Sequence, residues 1–176
     1  MTNIPTPLPI TYWVVPGRFL AGPQPLVIQA SSPHQTIETF VSAGINAFID
    51  LTYPAEMLGH TYLPILEKMT DHPDIRYFNL PIRDFGLPTP VVMRGIQDRI
   101  KLMLDQGSNI YLHCYGGIGR TGTVVGCYLV EQGMTGRQAL EQINFLRKDF
   151  GRMFMPSPET KSQVEFVLNW KKPGQL

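Results

Sequence analysis

Between residues 113 and 122 the chain places a thiol, an imidazole, a guanidinium group and four glycines within ten positions. Cys114 supplies the thiol, His113 the imidazole, and Arg120 a planar fork that can bind two oxygens of one anion. Glycines allow a loop to bring its backbone N–H groups close to a ligand. The segment therefore predicts a loop that wraps an anion, with a nucleophilic thiol at its entrance.

The segments on either side predict the elements that hold this loop. Residues 109–112 form a short apolar, aromatic run typical of a buried strand, and residues 121–131 are apolar on most sides, as in a buried helix. Backbone N–H groups converge where a glycine-rich turn meets a helix start, and the helix dipole adds positive potential. The same potential favours the thiolate form of Cys114.

The order of these residues resembles a known signature. A Cys followed by five residues, Arg and Thr, with His before the Cys, resembles the signature loop of the cysteine-dependent protein tyrosine phosphatase superfamily. The start of the chain, with Trp13 in a strand, then Pro16-Gly17 and Ala-Gly-x-x-Pro from residue 21, is similar to compact dual-specificity-like phosphatases. The Tyr-Gly-Gly form of the loop is similar to the kinase-associated phosphatase branch. The resemblance covers nearly the whole chain.

The resemblance implies a role for each residue of the loop. Cys114 is the expected nucleophile, and Thr121 the hydroxyl that stabilises the thiolate as it leaves. His113 is expected to hydrogen-bond the backbone and so hold the cysteine in place. The expected phosphate-binding residues are Arg120 and, through their backbone N–H groups, Tyr115, Gly116, Gly117, Ile118 and Gly119.

The expected general acid lies on a different loop. A thiolate that attacks a phosphate monoester needs an acid within hydrogen-bond reach of the leaving oxygen. In the superfamily this is an Asp on a mobile loop ahead of the cysteine, and Asp84, thirty residues before Cys114 in a Pro- and Gly-rich loop, matches it. Asp98 and Asp105 fall inside a predicted helix and are poorer candidates.

Two further residues have weaker claims to the site. Arg83, beside the proposed acid, could add positive charge at the mouth, although a lone exposed Arg or Asp on a loop is also an ordinary solvated residue. Gln163 resembles a glutamine that positions the hydrolytic water in some branches, a role that compact members often lack.

The substrate is less determined than the reaction. Positions 115–118 carry no Lys or Arg, whereas relatives acting on polyphosphorylated lipids often have lysines there. This favours a phosphorylated protein or peptide carrying phosphotyrosine or phosphoserine/phosphothreonine. The alternatives are a phosphoinositide, an inositol phosphate or an RNA 5′ phosphate, and a catalytically silent phosphate-binding module. A sulfur-transfer enzyme could also use such a Cys, but the Arg-Thr-Gly ending of the loop favours phosphate.

Composition narrows the class of protein. Charged residues make up 16% of the 176 residues and the formal net charge is +1, so nothing marks a nucleic-acid or membrane-surface binder. No apolar run approaches the roughly 20 residues of a membrane helix, and the first residues lack the features of a signal peptide. We therefore expect a cytoplasmic protein; its oligomeric state is not predicted.

Neither a disulfide nor a metal is expected. Cys127 lies about 10 Å beyond Arg120 along the predicted helix, at roughly 1.5 Å per residue, which is outside disulfide reach of Cys114. The remaining histidines, at positions 34, 60 and 72, lack ligand-like spacing. We expect no cofactor, because Arg120 and the loop amides neutralise the phosphoryl charge.

Strands that alternate with helices, followed by a run of helices, predict an α/β fold. We expect one domain over residues 1–176, in which residues 1–10 can be flexible. We expect a central, mostly parallel sheet flanked by helices. The helix opened by Thr89 and Pro90 is predicted to bury Val92, Ile96, Ile100 and Leu104. A final helix is predicted from Pro158, and residues 147–149 are predicted to be a solvated helix end.

Overall fold

The computed structural model of the protein describes residues 4–28, 32–57, 61–69, 71–72, 74–148, 155–172 and 174. Five strands and six α-helices lie within these ranges. The strands are β1 (Tyr12–Val15), β2 (Phe19–Pro23), β3 (Ala47–Asp50), β4 (Arg76–Asn79) and β5 (Ile110–Cys114). The helices are α1 (Pro33–Ser42), α2 (Leu63–Glu67), α3 (Pro90–Asp105), α4 (Gly119–Glu131), α5 (Gly136–Leu146) and α6 (Lys161–Asn169). Two short 3₁₀ turns cover Pro25–Val27 and Pro54–Met57.

The strands form one sheet in the order β1-β2-β5-β3-β4. β1 runs antiparallel to β2, and the other neighbours run parallel. The predicted fold class is confirmed. β5 is central, and its last residue, Cys114, is in register with Pro23 at the end of β2. In open parallel sheets, ligands bind at the carboxyl ends of the strands, so this edge is where a site is expected.

Two apolar cores cover the two faces of the sheet. One face packs against α1 and α2, with Phe40, Phe48 and Tyr111 in its core. The other face packs against the remaining helices, and its core includes Leu112 and Cys114. Because successive residues of a strand point to opposite faces, β5 sends Tyr111 into one core and Cys114 into the other.

Helix α4 is the helix at the centre of the second core. Its residues from Gly119 to Val130 are all buried, because α3, α5 and α6 surround it. A helix that is apolar on most sides is stable only when it is enclosed in this way. The expectation of a buried helix after the loop is therefore confirmed.

Side-chain caps fix where several helices begin. Ser32, Thr89 and Thr135 each accept a hydrogen bond from a backbone N–H in the first turn of α1, α3 and α5. These helix starts are predicted correctly, since Ser and Thr hydroxyls satisfy N–H groups that lack a partner within the helix.

The predicted buried face of α3 is partly wrong. Ile96 and Ile100 are buried as expected, but Val92 is 46% exposed. The buried face instead includes Met93 and Met103, and Leu104 is only partly buried. The predicted spacing of four residues is wrong at both ends, because an α-helix repeats every 3.6 residues and its buried face therefore advances by three as well as by four positions.

Two predictions near the end of the chain are also wrong. α6 begins at Lys161 and not at Pro158, because the Thr160 hydroxyl accepts from the Gln163 N–H and sets the helix start there. Arg147 is not solvated: it is 3% exposed and donates to the Met155 carbonyl oxygen at 3.2 Å. Lys148 is exposed as expected, and Asp149 lies outside the described residues.

Candidate active site

Cys114 lies at the carboxyl edge of the sheet, where β5 ends. Its side chain is 3% exposed and lines a small cavity of about 150 Å³. The cavity brings together most of the residues that the sequence predicts for the site. They are Asp84, Cys114, Tyr115, Gly116, Ile118, Gly119, Arg120 and Gln163.

Two carbonyl groups of the loop bind partners outside this cavity. The Tyr115 carbonyl accepts from the Gln24 N–H at 3.1 Å, and the Ile118 carbonyl accepts from the Ser157 hydroxyl at 2.8 Å. In a planar trans peptide unit the next N–H points the opposite way from the carbonyl. The N–H groups of Gly116 and Gly119 are therefore turned towards the cavity, where they can hold an anion.

Gly117 makes the turn of the loop. Its φ is 68°, a left-handed conformation that side chains disfavour, and a Cβ there would collide with the backbone of Gly22 and Pro23. The next element, α4, starts at Gly119 with no side-chain cap on its first turn. Its first N–H groups and its positive dipole end are thus available to an anion in the cavity.

The Arg120 guanidinium is buried and held by two acidic side chains. Its Nη1 donates to both carboxylate oxygens of Glu56, at 3.0 and 2.8 Å, and to the Ile82 carbonyl at 3.1 Å. Its Nη2 lies 2.9 Å from a carboxylate oxygen of Asp84. Burial lowers the pKa of Arg120, but the neighbouring Cys114, Glu56 and Asp84 outweigh that effect and raise it above its ordinary value. The group is a permanent cation beside the thiol.

The proposed acid sits on an exposed loop at the mouth of the cavity. The Asp84 side chain is 53% exposed, and one of its oxygens accepts from the Phe85 N–H at 3.1 Å. Phe85 itself has φ 54°, an uncommon conformation for a bulky residue, and its ring is 61% exposed. Phe85 lines the cavity, and backbone strain of this kind is concentrated at functional sites.

His113 lies behind the cysteine, on the other face of β5. Its Nε2 is 2.6 Å from the Tyr62 hydroxyl, and its Nδ1 is 3.4 Å from the Cys114 carbonyl oxygen. Burial lowers the pKa of His113, so the ring is neutral near pH 7. Burial also raises the pKa of Tyr62, which stays protonated and donates to Nε2. The remaining ring proton is then on Nδ1 and faces the Cys114 carbonyl.

Of the other predicted residues, Gln163 lines the cavity, whereas Thr121 and Arg83 do not. Thr121 is fully buried in the first turn of α4, and its hydroxyl has no hydrogen-bond partner within the described part of the chain. Gln163 reaches the cavity, and its amide bridges two loops: Oε1 accepts from the N–H groups of Glu159 and Thr160, and Nε2 donates to Gly86. Arg83 is exposed and does not line the cavity.

Several residues of the site are not predicted from the sequence, among them Met155 on the cavity wall. Glu56 and Glu159 are acidic groups at Arg120 and on the cavity wall, while Tyr62 and Ser157 support His113 and the loop. None has a local motif. The position of Glu56 offers a partial signal, since it follows the end of β3, which neighbours β5 at the same edge of the sheet.

No clustered metal ligands are found among the residues that the structure describes, where no three His, Cys, Asp or Glu side chains gather closely enough to hold an ion. His60 lies outside the described residues. Both cysteines are free thiols. None of the helices in the described ranges is long and apolar enough to cross a lipid bilayer.

Comparison with known families identifies the domain. Residues 8–165 match the family described as PTP-SAK, Swiss Army Knife protein, DSP-PTPase phosphatase domain. The chain belongs to this family. It is also 32% identical, over 121 residues, to protein tyrosine phosphatase domain-containing protein 1 of Mus musculus. That alignment covers 61% of this chain and 15% of the mouse protein, so the chain spans a small part of that relative's length.

Solved structures share the fold of this PTP-SAK domain. Tk-PTP in its active form has a TM-score of 0.69 at 24% identity, covering 90% of this chain and 94% of Tk-PTP. Kinase associated phosphatase has a TM-score of 0.67 at 20% identity, covering 85% and 82%. PTPMT1 in complex with PI(5)P has a TM-score of 0.69 at 17% identity, covering 92% and 94%. The family model confirms the predicted family resemblance. At these sequence identities, the similarity to the solved structures supports the fold only.

Proposed function

We propose that the domain hydrolyses phosphate monoesters of proteins through a phosphocysteine at Cys114. The observation that carries this proposal is the shared cavity, in which one thiol, one buried guanidinium and one loop carboxylate lie around inward-facing N–H groups. Each group matches a need of the reaction: a nucleophile, a clamp for the phosphoryl oxygens and a general acid.

The first step forms the phosphocysteine. The Cys114 thiolate attacks phosphorus in line with the leaving oxygen, and Asp84 donates its proton to that oxygen as the phosphorus–oxygen bond breaks. Arg120 and the N–H groups of residues 115–120 hold the other phosphoryl oxygens, where charge is spread in the transition state. Asp84 lies 2.9 Å from Arg120 Nη2, so a phosphoryl oxygen that binds Nη2 would take the place of that carboxylate.

The second step releases phosphate. Water attacks phosphorus, the phosphorus–sulfur bond breaks with its electron pair on Cys114, and Asp84 takes the proton from the water. The buried Thr121 hydroxyl has no hydrogen-bond partner among the described residues, so it can donate to the departing thiolate. His113 holds the carbonyl of Cys114 and positions the nucleophile without taking part in proton transfer.

The charges around the cavity support a singly phosphorylated protein substrate. The lining contains one cation, Arg120, and two carboxylates, Asp84 and Glu159. A polyphosphorylated inositol would need more positive charge than this. Tyr115 and Phe85 are 52% and 61% exposed at the opening, and such rings can stack on the ring of a phosphotyrosine. We propose that the opening also admits phosphothreonine, which gives a dual-specificity enzyme.

A singly phosphorylated inositide is the second candidate. The fold neighbour PTPMT1 is seen with PI(5)P, and one phosphate group needs only one Arg-containing cradle.

The free thiols of Cys114 and Cys127 suit a reducing compartment, and we propose the cytoplasm.

The test is phosphate release by the wild type and Cys114→Ser from one panel of substrates. The panel contains phosphotyrosine and phosphothreonine peptides, soluble mono- and polyphosphorylated inositides, inositol polyphosphate and a 5′-phosphorylated RNA. Cys114-dependent turnover of both peptides above the others is the expected result. A preference for PI(5)P would replace the protein substrate with the lipid, and no turnover of any compound would leave a phosphate-binding module.

A further inference from the structure

Glu159 is the second carboxylate that lines the catalytic cavity, in addition to Asp84. It lies just before α6, half-buried, and lines the cavity together with Cys114 and Arg120. A Cβ built on Gly119 would lie 3.0 Å from the Glu159 Oε2 atom. The carboxylate therefore lies close to Gly119, the first residue of α4, where N–H groups would hold the phosphoryl group.

The neighbouring Gln163 has little capacity left to bind water. Its Oε1 already accepts from the backbone N–H groups of Glu159 and Thr160, each at 3.1 Å, and its Nε2 donates to the Gly86 carbonyl at 3.2 Å. The amide thus fixes the backbone beside the cavity. The Glu159 carboxylate forms no ion pair or hydrogen bond with any described residue, so both of its oxygens can accept from water.

We propose that Glu159 is a catalytic residue of the second step, which accepts a hydrogen bond from the water that hydrolyses the phosphocysteine. The proposal rests on the proposed function. An attacking water must direct a lone pair at phosphorus, which leaves its two O–H groups to be held elsewhere. Asp84 and Glu159, which both line the cavity, provide one acceptor each.

The reaction balances with this pair. The water oxygen forms a bond to phosphorus, the phosphorus–sulfur bond breaks and Cys114 leaves as a thiolate. One water proton moves to Asp84, and the other remains on the new phosphate, hydrogen-bonded to Glu159. Because Glu159 orients the water and does not remove its proton, a Gln at this position keeps the necessary acceptor oxygen.

The test is a rapid-quench experiment with p-nitrophenyl phosphate on Glu159→Ala and Glu159→Gln. An activated leaving group makes the first step fast, so that slow hydrolysis appears as a burst of p-nitrophenolate. We expect Glu159→Ala to keep the burst rate, to release close to one equivalent in the burst, and to lose about 10- to 100-fold in steady-state turnover. Glu159→Gln should recover most of that loss.

The matched control is Glu165→Ala, an exposed acidic residue on α6 outside the cavity, which should behave as the wild type in both phases. Wild-type steady-state turnover in Glu159→Ala, or an equal loss of burst and steady state, would overturn the role of Glu159 alone. A wild type that hydrolyses no phosphomonoester would overturn the proposed function and this inference with it. The burst itself shows that a slow variant is folded.

Discussion

Cys114 and Cys127 are thirteen residues apart, both are free, and they are 3% and 0% exposed. Their surroundings differ. Cys114 adjoins the cavity, the inward-facing N–H groups and Arg120. Cys127 lies in the middle of α4 within the apolar core, where burial, with a further contribution from Glu131, raises its pKa and keeps the thiol protonated. Burial by itself therefore does not decide what a cysteine does; the dipoles and charges aimed at it do.

The largest effect is expected when each cysteine is replaced by serine. Cys114→Ser should lower turnover of any phosphomonoester by more than about 10⁴-fold, because a serine hydroxyl is not ionised by the loop. Cys127→Ser should keep turnover of the wild-type order while losing roughly 1–3 kcal/mol of stability, because a hydroxyl replaces the thiol in an apolar core. Steady-state assays and urea unfolding measure both. Similar activities for the two variants would contradict the comparison.

A second prediction asks whether the carboxylate at the mouth acts as an acid. Asp84→Asn should slow hydrolysis of a phosphothreonine peptide by about 10²-fold or more, because its alkoxide leaving group needs a proton. Hydrolysis of p-nitrophenyl phosphate should fall much less in the first step. The matched control is Asp98→Asn, exposed on α3 and outside the catalytic cavity. Equal slowing of both substrates would assign the acid to another residue.

Glu56 is expected to orient Arg120, the cation that adjoins Cys114 and not Cys127. Glu56→Gln removes the charge that accepts two hydrogen bonds from Arg120 and should lower kcat/KM by about 10-fold, because the guanidinium is less well oriented. The rate of Cys114 alkylation in the folded protein should fall as well. Cys127 is buried and reacts only when urea unfolds the chain, so its alkylation rate in urea should be the same in the variant and the wild type. An unchanged kcat/KM would show that Asp84 and the Ile82 carbonyl suffice to hold Arg120.

The smallest effect concerns His113. Burial holds its pKa below the ordinary value of about 6.5, so below that pH the unfolded chain binds a proton that the folded one does not. Stability should therefore fall as the pH drops below about 6.5, by up to about 1.4 kcal/mol per pH unit, and show no contribution from His113 above it. His113→Gln should flatten this slope in urea unfolding, whereas His72→Gln, at an exposed position, should not.

The part of the site that could be predicted from the sequence is contiguous. Cys114, the loop glycines and Arg120 lie within a few residues, so their spacing alone indicates how they meet. Asp84 is predicted from the family pattern, and in the structure its carboxylate lies 2.9 Å from Arg120 Nη2. Glu56 could not be found in this way, because it contacts Arg120 from 64 residues away, through a turn after β3 that has no distinctive composition.

The fold shows the same division between local and long-range information. Helix starts at Ser32, Thr89 and Thr135 follow from local hydrogen bonds and were predicted. The burial of Arg147 depends on the chain that follows α5, whose carbonyl at Met155 it binds, and no local pattern indicates that contact. The same holds for the buried face of α3, which depends on the sheet and on α4, against which it packs.

The site of covalent phosphorylation would show directly whether Cys114 is the nucleophile. Wild-type protein would be mixed with p-nitrophenyl phosphate, quenched in denaturant within the first turnover, digested with trypsin and examined by mass spectrometry. Cleavage after Lys101, Arg120 and Arg137 places the two cysteines on separate peptides, 102–120 and 121–137. We predict phosphate on Cys114 in peptide 102–120. Phosphate on peptide 121–137, or turnover with no phosphorylated peptide, would contradict a phosphocysteine at Cys114.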